Sequence, residues 1–158
     1  MAVPLIDFTT LDLTRNVLPE AELRTLLPHR HEFQLIDGVC HLDIEKHELI
    51  AYKDWDENAW WARGHIPGRP LMPGVLMCEG AAQAASLLIK KRQGWGGDKF
   101  IGLGGLDNVR FRGQVVPPAR CYFVTRGGVI SSRLAKYPAQ CVVDGKVCLE
   151  MELLGVLL

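Results

Sequence analysis

The sequence has no net charge, because 18 Lys and Arg balance 18 Asp and Glu. Without a global field of either sign, no nucleic-acid partner and no anionic membrane surface is expected. No apolar run reaches the roughly eighteen residues that a membrane span needs, so no span is expected either. The opening "MAVPLIDFTTLDL" has neither a basic stretch nor a long apolar one, and it predicts no signal peptide. CxxC spacing is missing, and the five cysteines, Cys40, Cys78, Cys121, Cys141 and Cys148, are odd in number. That pattern points to free thiols in a reducing cytoplasm and away from a disulfide frame or a zinc knuckle. Internal repeats, low-complexity tracts and linker composition are absent too. A chain of 158 residues then reads as one domain over 1–158, with residues 1–17 as an N-terminal arm.

What is present has a clear order. "LPEAELRTLLPH" predicts a short helix, with Pro19 at its first position, Glu20 and Glu22 at its positive end, and Pro28 as its stop. "FQLIDGVCHLDI" and "HELIAYKDW" predict two strands, and residues 54–73 a loop. From Val75 to about Arg92 the apolar and small residues predict one long helix, ended by Gly94. Four further strands are expected in "KFIGLGGLDNVRFRG", "ARCYFVTRGGVI", "SRLAKYPAQCVV" and "KVCLEMELLGVLL". Asp144-Gly145 between the last two is the clearest hairpin signal, whereas Asp37-Gly38 would cut one strand into two very short pieces. The sum is an α+β fold, about six antiparallel strands around one long central helix.

The long helix contains an oddity. Over residues 75–89 its only polar side chains are Glu79, Gln83 and Ser86, and Glu79 and Gln83 share one face. A carboxyl buried there is expected to resist ionisation, as a general acid must. Fourteen residues upstream stands His65, in a stretch with three prolines and three glycines between Gly64 and Gly74. A histidine titrates near neutrality and can act as a base. Pro73-Gly74 opens the helix, whose free N–H groups favour negative charge developing on a carbonyl oxygen. Base, acid and oxyanion donor together suit elimination of water next to a carbonyl. A lone Glu or His of this kind also has a purely structural reading, and periodicity does not decide between them.

"LLPHRHEFQLIDGV", "GHIPGRPLMPGVLMCEGAAQAA", "GLDNVRFRGQVVP" and "VDGKVCLEMEL" together resemble the FabZ-type beta-hydroxyacyl-acyl-carrier-protein dehydratases of type II fatty acid synthesis. The resemblance runs in order from about residue 26 to 153, and is most specific from Gly64 to Gln83. It implies a hotdog fold and a homodimer, or a trimer of such dimers, in which His65 of one subunit faces Glu79 of the other. It implies catalysis by His65 and Glu79, a Gly74 N–H on the thioester carbonyl, no cofactor and no metal. The implied partner is an acyl carrier protein bearing a phosphopantetheine-linked substrate. Arg110, Arg112 and Arg120 are the candidates for docking that acidic carrier. Two departures stand out: "VVPPA" replaces the usual "VVPGD", and Trp60-Trp61-Ala62 replaces "PFF", which would put bulky aromatics near the pocket.

The remaining motifs carry less. "GLGGLD" lacks the ending of a phosphate loop and is expected to let a strand bend or approach the central helix. His29 and His31 lack the cluster a metal needs and are taken as structural. Lys90, Lys91 and Arg92 are expected to complement the helix dipole, and Cys78 to pack in the core. Two other functions stay open: a hotdog hydratase or thioesterase on coenzyme A thioesters, and a non-catalytic acyl-binding subunit.

Overall fold

The computed structural model describes residues 2–158. Helix α1 spans Glu20–Leu26, with Pro19 one position earlier than expected, as its N-cap. Strands β1 (Gly38–Asp43) and β2 (Glu48–Trp55) precede the long helix α2, Gly74–Gln93. Then follow β3 (Ile101–Phe111), β4 (Ala119–Arg126), β5 (Val129–Ile130), β6 (Leu134–Val143) and β7 (Lys146–Leu157). The sheet is antiparallel throughout in the order β1-β2-β4-β6-β7-β3, with β5 pairing only to β6.

Seven strands stand where six were expected. The extra one arises because Gly127 and Gly128, both at positive φ, break "ARCYFVTRGGVI" into β4 and β5. The first strand is also shorter than expected: Phe33 closes a turn of 3-10 helix, and pairing begins only at Gly38. "GLGGLD" does bend its strand, since the β3–β7 register slips between Leu103 and Gly105.

Helix α2 lies against β2, β4, β6 and β7, and its small residues are what permit it. A Cβ on Gly80 would stand 2.2 Å from the Phe123 ring of β4, so no larger residue fits there. Ala81, Ala84, Ala85, Leu87, Leu88 and Ile89 are all fully buried in the same core. Each large aliphatic among them contributes about 1.5–3 kcal/mol of burial.

The opposite face of the sheet is apolar as well, because Cys40, Ile50, Val124, Val142 and Val147 point outward. The arm covers it: Ile6 is buried there and Phe8 meets Tyr122 edge-on at 5.5 Å. The Gln140 side chain ties it down, accepting from Leu5 N–H (2.8 Å) and donating to Val3 O (3.1 Å). No helix among the described residues is long and apolar enough to cross a membrane.

Candidate active site

His65 sits where the loop after β2 folds back. Its backbone N–H donates to Trp61 O at 2.8 Å, and its ring Nδ1 lies 2.6 Å from Leu71 O. A carbonyl can only accept, so Nδ1 carries the hydrogen and the neutral ring presents a bare Nε2. That is the tautomer a base requires. Ile66, next in the chain, is held at φ 58°, a region β-branched residues rarely occupy. The ring opens on a cleft of about 600 Å³ that also takes in Pro73, Gly74, Val75, Phe111 and Arg112.

Gly74 opens α2, and Pro73 before it offers no side-chain cap; Leu76 N–H donates to Pro73 O at 3.0 Å, and Gly74 and Val75 line this cleft. The Phe111 ring closes on the same point, 2.7 Å from where a Cβ at position 74 would stand. Met72 N–H donates to Val115 O at 2.9 Å and anchors the lead-in to the turn after β3. That turn holds the "VVPPA" departure, with a cis bond between Pro117 and Pro118.

Glu79 lies five residues into the helix, about 7.5 Å along its axis. It faces a different cavity, of about 200 Å³, with His29, Gln83, Ser86, Lys90 and Leu153 among its walls. The full burial expected of its carboxyl is not found within one chain, where the side chain keeps 28% of its exposure. The cavity wall is its neighbour on that side, not a packed core. Gln83, 1% exposed, is fixed by three contacts. Its Oε1 accepts from Leu35 N–H at 3.2 Å, and its Nε2 donates to Phe33 O at 2.8 Å and to Glu79 Oε1 at 2.9 Å. Neither cavity contains both His65 and Glu79.

His29 was expected to be structural, yet its Nε2 lies 3.4 Å from Glu79 Oε1. No local spacing could reveal this, since fifty residues separate the two. Burial pulls the His29 pKa down, against a smaller opposing pull from Glu79 and with help from Arg30 and Lys90. Below the unfolded value near 6.5 the unfolded chain therefore binds a proton that the folded chain resists. Stability is lost as pH falls from about 6.5 through the folded pKa. His29→Asn should flatten that fall, which denaturant titrations at pH 7 and pH 5 would read as a smaller drop in midpoint than in the wild type.

The remaining sequence features fall as follows. Trp61 is buried edge-on against Trp55 at 5.6 Å, and Trp60 lies on a separate surface hollow with Arg63, so neither lines the two cavities. Lys90, Lys91 and Arg92 stand in the last turn of α2, where cations complement the helix dipole, and Gly94 caps it. They bond Leu26 O, Glu22 and the Tyr137 hydroxyl respectively. Cys78 is buried, and burial pushes its thiol pKa up, away from the thiolate a nucleophile needs. His31 is exposed at φ 55° and lines neither cavity.

A family profile described as a FabA-like domain matches residues 27–152. A 3-hydroxyacyl-[acyl-carrier-protein] dehydratase FabZ of Protochlamydia amoebophila is 34% identical over 132 residues, 84% of this chain and 84% of the relative. Its namesake in Mannheimia succiniciproducens is 35% identical over 149 residues, covering 92% of this chain and 97% of that one. Among solved structures, the dehydratase heterocomplex ApeI:P of Xenorhabdus doucetiae superposes with a TM-score of 0.70, covering 85% of this chain and 90% of that one at 14% identity. The architecture is thus the hotdog fold, a long helix wrapped by an antiparallel sheet. By sequence and by fold, the chain belongs to the FabA-like family.

Proposed function

We propose that this protein is a 3-hydroxyacyl-[acyl-carrier-protein] dehydratase, converting carrier-bound 3-hydroxyacyl thioesters to trans-2-enoyl thioesters and water. The observation that carries the mechanism is the tautomer of His65, locked by Leu71 O so that a bare Nε2 stands in the cleft at the start of α2. That nitrogen takes a proton from C2. Charge moves onto the thioester oxygen, where the Gly74 N–H donates, aided by the helix dipole. Glu79 gives its proton to the C3 hydroxyl, the C–O bond breaks, and the electron pair left at C2 forms the double bond. A proton passed from His65 back to Glu79 through solvent resets the site. Side chains supply and accept every proton, so the reaction as written draws on no cofactor.

We further propose that each site is shared by two copies. Within one chain the base and the acid open on separate cavities. Strand β3 is a sheet edge, and Phe100, Leu103 and Phe111, at or next to it, are all more than half exposed, as is Val75 at the start of α2. A second copy laid along that edge would cover them and bring its own Glu79 to the His65 cleft.

For the acidic carrier, two of the three candidate arginines are already engaged. Arg120 makes a double contact with Asp54 (2.6 and 2.7 Å), and Arg112 pairs with Glu150. Arg112 still borders the cleft, and Arg110 on β3 makes no ion pair among the described residues, so these two remain the docking candidates. The test follows loss of water by mass on a 3-hydroxyacyl carrier protein. Wild type should turn it over, and Arg110→Glu with Arg112→Glu should slow it while sparing a small thioester analogue. No turnover by the wild type refutes the activity. Equal loss on both substrates would instead indicate damage to the pocket or fold.

A further inference from the structure

The two oxygens of Glu79 are not equivalent. Oε1 is met by Gln83 Nε2 at 2.9 Å and by His29 Nε2 at 3.4 Å. Gln83 cannot turn round, because its own oxygen is taken by Leu35 N–H and its first amide hydrogen by Phe33 O. The second amide hydrogen therefore points at Oε1.

For His29 the choice of tautomer follows from its other nitrogen. Nδ1 is buried with no hydrogen-bond partner, so a hydrogen there would be an orphaned donor. The single hydrogen of the neutral ring then sits on Nε2, the nitrogen that faces the carboxyl. A separation of 3.4 Å is long for a hydrogen bond, and contacts of this kind commonly tighten when substrate closes the site. The turn that carries His29 is itself clamped. Lys90 Nζ donates to Leu26 O at 2.7 Å, and Arg30 donates to Leu27 O and to Arg24 O, each at 2.7 Å.

We propose that His29 is a positioning residue of the acid centre, which with Gln83 makes Glu79 Oε1 a committed acceptor and leaves the transferable proton on Oε2. The proposal rests on the reading of Glu79 as the acid. A neutral donor suits this task where an imidazolium would not, because a positive charge beside a carboxyl favours its ionised form. The surroundings keep the ring neutral. Lys90 of α2 and Arg30 of its own turn are cations, Glu79 is the one acid facing it, and Phe100 with β3 and β7 brings only apolar residues and glycines, Ile101, Gly102, Leu103, Leu153 and Gly155, to the cavity. With the acceptor oxygen pinned, Oε2–H is held in one direction toward the cavity, so the proton is aimed before substrate arrives.

The experiment uses the full chain and two readouts. Turnover of a 3-hydroxyacyl carrier protein gives kcat and KM for His29→Leu and His29→Asn. Isotope-edited infrared spectroscopy follows the C=O stretch of the protonated Glu79 carboxyl, assigned by its absence in Glu79→Gln. His29→Leu should lower kcat by about 10-fold or more, with KM little changed, since an aimed proton matters only in the transition state. Its C=O band should move to higher frequency, because the carbonyl oxygen has lost a donor. His29→Asn, which restores an N–H, should recover most of the rate and return the band. Loss of kcat with the band unmoved, or a moved band with kcat intact, overturns the proposal. If His29→Leu does not fold, His29→Ala serves the same comparison. Native turnover by Glu79→Gln would instead refute the acid assignment, whatever the His29 variants do.

Discussion

Glu79→Gln should fold as the wild type does and lose about 10²–10⁴-fold in turnover, the usual scale of a general acid's contribution. The fold is spared for a local reason. The new amide can keep its oxygen toward Gln83, which continues to donate at that position and to hold Phe33 and Leu35. What changes is the other end of the side chain, where an amide N–H replaces an acidic O–H and cannot give up its proton. The C3 hydroxyl would then have to leave as hydroxide. Near-native turnover would remove Glu79 from the mechanism.

Much of this arrangement is legible in the sequence. Helix α2 announced itself because a run with only Glu79, Gln83 and Ser86 as polar residues must be buried nearly all round, and Gly94 closed it. The β6–β7 hairpin did so because Asp144 and Gly145 both take positive φ, which few residue pairs accept. The i,i+4 spacing already placed Glu79 and Gln83 on one face, where they are hydrogen-bonded. Other features depend on contacts between distant segments and leave no local mark. His29 meets Glu79 only because α1 docks on α2 through Lys90 and Lys91. The arm looked irregular and is so except for one 3-10 turn at Phe8–Thr10. Its role becomes visible in β1, β2, β4, β6 and β7, where neighbours such as Leu49 and Ile50 are both buried, one inward against α2 and one outward under the arm. Trp60 and Trp61 misled for a related reason. An aromatic pair next to a site motif suggests a pocket wall, but Trp61 had a closer partner in Trp55.

Mixing two inactive variants should restore activity. His65→Ala removes the base and Glu79→Ala the acid, and each protein alone should be inactive. In one chain the nine residues from His65 to Pro73 could span about 30 Å if extended, so reach alone does not forbid a site built within one subunit. The loop is not extended, however. His65 is bonded back to Trp61 O and Leu71 O, Arg69 N–H donates to Ile66 O, and the three prolines between stiffen what is left. Held this way, the ring faces the cleft at the start of α2 while Glu79 faces the cavity under α1. If two copies complete each other's sites, unfolding the variants together and refolding them makes about half the dimers mixed. Every mixed dimer then has one site with both residues intact and one with neither. Roughly a quarter of wild-type activity should return, for independent sites related by a two-fold axis. Subunit exchange would be confirmed separately, with a tag on one variant that captures the other. Confirmed exchange without recovered turnover would mean that His65 and Glu79 act within one chain, and the shared site would have to be abandoned.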